Sequence, residues 1–196
     1  MTEIMIVEFP IFGAGIIYFP TELSALRVFE PRYLLLIADA IKQRKTFCVS
    51  NNLDEENQVI SEVEIIEHRD ISNAEQLVLV NCVNLYKTKS INTDKEYPVC
   101  NAEIIIDIGL PPTIDQLDNL QIKIKEILSE LIEKGLDIDI PTFEIDTENR
   151  ILSLWEICSK IPMTLDLRNK LLLSNDISYR FNLLENYLYE IKERTT

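Results

Sequence analysis

Over roughly the first hundred residues, short β-branched runs alternate with polar positions and are broken by Pro, Gly or polar clusters, a period-two pattern that predicts strands. "EIMIVEF" (Glu3 to Phe9) and "GIIYF" (Gly15 to Phe19) are bounded by Pro10, Gly13, Gly15 and Pro20. "TFCVS" (Thr46 to Ser50) is a third candidate. In "QVISEVEII", Val59, Ser61, Val63 and Ile65 share one face, the pattern of a half-buried strand with one polar interruption. "EQLVLVNCVNLYKTKS" (Glu75 to Ser90) is long enough to bend around a small barrel, and "YPVCNAEIIIDI" (Tyr97 to Ile108) can pair back onto it. Pro98 then belongs at a strand start or edge, where its missing N–H is tolerated. One helix interrupts this region. Pro31 suits the first helical position, and Tyr33, Leu34, Ile37, Ala38 and Ile41 follow at spacings of three and four, a stripe to pack on the sheet.

At "IDIGLPPTIDQL" the period changes to about three and a half. Thr113 and Gln116 have capping-box spacing, so a helix starts there and Gly135 ends it. Its expected buried side carries Ile114, Leu117, Leu120, Ile124, Ile127, Leu128 and Leu131. A second helix is expected from about Thr147 to Ser159, stopping before Pro162. Thr164 caps a third reaching Leu173, and Asp176 a fourth with Phe181, Leu184, Leu188 and Ile191 inward. The fold class expected is α+β. Residues 1–110 make a small barrel of about six strands with one inserted helix, and residues 111–196 a bundle of about four helices.

A 46% hydrophobic content in 196 residues suffices for a real core. No apolar run approaches a membrane span, and "MTEIMIVEFP" lacks the basic segment and cleavage site of a secretory signal, so a cytoplasmic protein with no membrane partner is expected. A formal net charge of −14 argues against nucleic acid as a partner. Cys48, Cys82, Cys100 and Cys158 are widely spaced without a CxxC pair and are expected as buried free thiols.

The chemistry of enzymes is sparse. The four glycines form neither GxxxxGK[ST] nor GxGxxG, which removes the usual cradles for nucleotide phosphates. The sole histidine, His68, lies in "EHRD" without a nucleophile motif and is expected in a loop. No catalytic residue, metal site or cofactor is therefore expected. The Glu30 and Arg32 pair admits two readings. It is either a set of polar anchors at a ligand groove, or Glu30 favours the positive helix start while Arg32 makes a buried or semi-buried ion pair that fixes the helix on the barrel. Phe12, Tyr18, Phe19, Phe29 and Tyr33 are likewise either core or the lining of a peptide-binding surface.

The order "PIFGAGIIYFP" then "LRVFEPRYLLLIADAI" resembles the amino-terminal substrate-recognition domain of Lon (La) proteases, matching the family's Pro-Leu-Phe, Leu-Phe-Pro and Leu-x-Ile-Phe-Glu-x-Arg-Tyr. "YPVCNAEI" resembles the family's Pro-Tyr-x-x-Ala-x-Val strand with Tyr97 and Pro98 reversed, and "LWEICSKIPMTLDLRNKLLLSNDISYRFNLLENYL" resembles its closing helices. Where the family often has Gly-x-x-Arg-Phe, this chain has Cys82, Leu85 and Tyr86. The chain is expected as a standalone form without ATPase or protease modules.

The resemblance implies a PUA-like barrel joined to a helical bundle, and a non-catalytic module that binds unfolded or partner polypeptides, with an adaptor role as one form of it. It makes Phe12, Phe19, Phe29 and Tyr33 candidate polypeptide contacts and Glu30, Pro31 and Arg32 a structural motif. The alternative is a small-ligand sensor or an enzyme of unrecognised chemistry using a pocket at residues 29–33. A third reading is a structural subunit whose family surface serves self-association.

Overall fold

A computed structural model describes residues 5–195. The chain divides into two compact units, the first ending at Ile105 and the second beginning at Ile106.

Among the described residues the first unit holds six strands and one helix: β1 (Ile6–Gly13), β2 (Leu23–Val28), α1 (Pro31–Gln43), β3 (Phe47–Ser50), β4 (Val59–Ser72), β5 (Glu75–Asn92) and β6 (Val99–Ile104). The sheet order is β2-β5-β4-β3-β1-β6, and β6 also pairs with β5, so the ladder from β5 through β4, β3, β1 and β6 returns to its start. β5 serves two neighbourhoods because of its length. Its first part, Gln76 to Asn81, lies against β2, and its last part, Tyr86 to Asn92, against β6. Register shifts along β4 and β5, at Glu62/Val63, Ile65/Glu67 and Thr88/Ser90, supply the bending that such closure needs. The interior packs Phe9, Ile11, Cys48, Ile60, Tyr86, Cys100 and Ala102. Phe9 and Tyr86 meet edge to face at 4.8 Å. Pro98 stands just before β6, its carbonyl accepting from Ile11 N–H at 2.9 Å.

Several sequence expectations need correction in this unit. "GIIYF" is not a strand. Ile17, Tyr18 and Phe19 are buried, but the backbone is held by a side chain instead of a ladder: Ser61 Oγ accepts from Tyr18 N–H and donates to Tyr18 C=O, each at 2.8 Å. The strand lies later, in "LSALRV". The run expected from Glu3 begins at Ile6 among the described residues; Glu3 and Ile4 lie outside them. α1 starts at Pro31, yet its buried stripe is Tyr33, Leu36, Ile37 and Ala40, while Ala38 is exposed. "YLLLIADAI" is apolar on so many sides that its spacing does not fix which side faces inward. His68 sits on β4, exposed, not in a loop.

The second unit holds α2 (Ile114–Glu133), α3 (Arg150–Lys160), α4 (Leu165–Leu173) and α5 (Ile177–Thr195). Thr113 and Gln116 form the reciprocal capping box, and Gly135, at φ +92°, follows the last turn. Leu117, Leu120, Ile124, Ile127 and Leu128 are buried; Ile114, expected with them, is 41% exposed because it sits in the unroofed first turn. Thr164 caps α4, and Asp176 Oδ1 accepts from Tyr179 N–H at the start of α5. Arg180 is the unexpected core member, a charged side chain only 1% exposed. Its Nε donates to Leu171 C=O (3.2 Å) and Ser174 C=O (2.8 Å), and its guanidinium carbon lies 4.2 Å from the Trp155 ring centroid. Nη1 makes an ion pair with Asp107 at 2.6 Å without hydrogen-bond alignment, and Nη2 has no hydrogen-bond partner among the described residues. Burial lowers the guanidinium's pKa, and Asp107 opposes that shift.

Candidate functional site

β2 ends at Val28, and Glu30, extended at φ −74° and ψ 132°, caps a helix whose first residue is Pro31. A proline there fixes a helical φ and leaves no orphan N–H, so the chain turns sharply from strand to helix. A cleft of about 310 Å³ opens at this turn. Phe12, Gly13 and Ala14 line it from the end of β1, Ala25, Leu26 and Arg27 from β2, and Phe29, Glu30 and Tyr33 from the turn and helix, with Tyr18 beside them.

The rigid wall of the cleft is an aromatic pair. Phe12 and Tyr33 are both buried and stack with centroids 4.1 Å apart. Tyr33 Oη accepts from Gly13 N–H at 3.1 Å. A Cβ at position 13 would stand 3.2 Å from that oxygen and 3.2 Å from Leu53 Cγ, so glycine is what lets the ring approach the strand.

The rim is polar. Arg32 lies 4.7 Å over the Tyr33 ring and holds one Glu30 oxygen through Nε (3.0 Å) and Nη2 (2.9 Å). Its side chain and that of Glu30 are 45% and 44% exposed, which corrects the expectation of a buried or semi-buried pair. The helix docks through Tyr33, Leu36, Ile37 and Ala40, a face that turns Arg32 outward. Arg27 pairs with Glu75, whose carboxyl is held below its usual range by that hydrogen bond.

Of the sequence candidates, Phe12, Phe29 and Tyr33 come together here with Glu30. Phe12 and Tyr33 form the wall; Phe29 stands 62% exposed at the mouth. Leu23, also on the β2 side, is 61% exposed, and Leu77, opposite Arg27 on β5, 40%. Phe19 is different: it is fully buried and offers no surface to a partner, its backbone N–H donating to Glu22 Oε2 at 2.7 Å and its C=O accepting from Glu22 N–H at 3.0 Å. The cleft's lining of aromatic faces with one carboxylate and one guanidinium suits an apolar side chain with a polar or charged neighbour. At about 310 Å³ it lies at the foot of the range, about 300–1,000 Å³, of small-molecule pockets.

A second cleft, about 790 Å³, was not legible in the sequence, since its walls come from β1, the region after α1 and the turn before β6. Phe9, Lys45, Lys95 and Tyr97 contribute to it, and Tyr97 Oη donates to Asp39 at 3.1 Å. Burial, then that bond, raises the Tyr97 pKa. Among the described residues no three His, Cys, Asp or Glu side chains gather as a metal site, and no helix is long and apolar enough to cross a membrane.

Comparison with known proteins gives two concordant results. The family model described as the ATP-dependent protease La (LON) substrate-binding domain matches residues 8–190. Among solved structures, the Lon N-terminal domain protein from Xanthomonas campestris superposes with a TM-score of 0.66 at 19% identity, over 92% of this chain and 98% of that one. The N-terminal domain of Mycobacterium avium complex Lon protease gives 0.64 at 10% identity, over 93% and 98%. These likenesses concern the fold. No curated protein sequence matches the chain.

Proposed function

The chain belongs to the family of the ATP-dependent protease La (Lon) substrate-binding domain, and on that premise we propose that it is a non-catalytic module that recognises polypeptides through the cleft at Phe29. The observation that carries this reading is Phe29 itself. A phenylalanine 62% exposed beside a preformed aromatic wall leaves apolar area in water that a client side chain would cover. The clients on this reading are unfolded or partner polypeptides with exposed apolar residues, bound in the cytoplasm, with an adaptor role as one use of the binding. The same reading takes the closed ladder as a PUA-like barrel and the two units as subdomains of one domain. A small ligand at residues 29–33 is the competing occupant. The cleft's small volume favours one large side chain over a metabolite.

The test is a titration of fluorescent, reduced and alkylated lysozyme, which stays unfolded in buffer, followed by anisotropy. Saturable binding that folded lysozyme does not compete away supports polypeptide recognition. No binding up to high micromolar concentration, together with a melting shift from a small metabolite, would replace it with the ligand reading.

A further inference from the structure

Several stretches of strand are paired on one side only among the described residues: the start of β1, Ile6 to Pro10, pairs with β6 alone and is blunted by Glu8 and Pro10, and two others lie along β5. One is the distal half of β4, Glu64 to Ser72, which pairs with β5 alone beyond its contact with β3 at Ser61 to Val63. The other is β2, which pairs with β5 alone. Open edges are aggregation hazards that proteins blunt with charge. β4 is blunted in that way: Glu64, Glu67, Arg69 and Asp70 stud it. β2 is not, since "LSAL" carries no charge before Arg27.

The hydrogen-bond phase of β2 follows from its first rung. Cys82 N–H donates to Glu22 C=O at 3.0 Å. In antiparallel alternation Ser24, Leu26 and Val28 then bond toward β5, and Leu23, Ala25 and Arg27 turn their N–H and C=O groups to the open edge. The same three residues are exposed. The Phe29 cleft runs along this strand, since Ala25, Leu26 and Arg27 line it.

We propose that β2 is a docking edge, on which a client segment adds in extended conformation as a further strand and seats one large apolar side chain in the Phe29 cleft. This rests on the polypeptide-binding reading above and specifies its mode. Backbone bonding explains how one site would accept many sequences, because the main chain carries the affinity and a single pocket carries the selection. The preferred segment is apolar and basic. A net charge of −14 repels acidic chains and draws basic ones.

The experiment is amide hydrogen exchange at residue resolution, on the full chain, with and without saturating reduced and alkylated lysozyme. The edge amides of Leu23, Ala25 and Arg27 are expected to slow about tenfold or more on binding, while those of Ser24, Leu26 and Val28 change little. Binding with no change at the edge amides overturns strand addition while leaving polypeptide recognition standing. Protection that grows with protein concentration in the absence of client, with a doubled mass in solution, would make a second copy the occupant and overturn the proposal. Absence of any client binding removes the underlying reading as well. Carboxymethylated α-lactalbumin, unfolded and acidic, is expected to bind at least several-fold more weakly at low salt, with the gap closing as salt rises. Equal binding of the two at low salt overturns the basic preference.

Discussion

Replacing Arg180 by Ala removes several supports of the second unit at once. The Nε donor to Leu171 and Ser174 carbonyls disappears, and charge-assisted bonds of this kind contribute about 1.5–3 kcal/mol. The cation over Trp155 goes with it, worth about 2 kcal/mol where desolvated. Asp107 loses its ion partner. These terms are not additive, and breaking a buried pair from one side costs about 3–5 kcal/mol as a whole. Asp107 is 22% exposed and regains some hydration, which places the expected loss toward the lower end of that range. With a urea dependence near 2 kcal/mol/M, a loss of about 3 kcal/mol lowers the midpoint by about 1.5 M. Trp155 is the only tryptophan, so its fluorescence reports unfolding from within the same cluster. The double variant Asp107→Asn/Arg180→Met is expected to recover part of the loss, because it leaves no unpaired charge. A single Arg180→Ala midpoint within experimental error of the wild type would refute the view that this side chain organises α3, α4 and α5.

Two further outcomes follow from the sites described. Arg32→Ala is expected to cost about 1 kcal/mol or less in urea unfolding, since exposed ion pairs and cation–π contacts are each worth little; a loss above about 3 kcal/mol would mean the pair is a buried one. Burial pushes the Cys158 thiol up from 9.0 to about 12, so the protonated form is favoured by the fold. Its contribution is complete below about pH 9 and is lost as pH rises toward about 12. Urea midpoints across that window should fall more steeply in the wild type than in Cys158→Ala, and parallel profiles would contradict the assignment.

Local signals with a single physical meaning were legible in the sequence. Pro31 can occupy only a narrow set of positions, and it opens α1. Thr113 and Gln116 satisfy each other's orphan donors and open α2. What depended on distant partners was not legible. The burial of Ile17 to Phe19 looked like a strand because the Ser61 hydroxyl that holds Tyr18 in place comes from β4. Arg180 carries no local signal of burial, since its counter-ion at Asp107 and its aromatic support at Trp155 come from elsewhere in the chain. The candidate site was half visible for the same reason. The motif around Glu30 named the right turn, but only the tertiary structure separates buried Phe12, Phe19 and Tyr33 from exposed Phe29.

That separation makes Phe29→Ala the most direct test of polypeptide recognition at the cleft. The side chain is exposed, so the unfolding midpoint should stay within about 0.5 kcal/mol of the wild type. An aromatic anchor at a binding surface is worth about 1.4 kcal/mol or more, which is a tenfold or greater loss of affinity for unfolded, alkylated lysozyme. Tight binding by the wild type with at least tenfold weaker binding by an equally stable Phe29→Ala is the predicted result. Equal affinity of the two proteins, or no binding by the wild type, would contradict it.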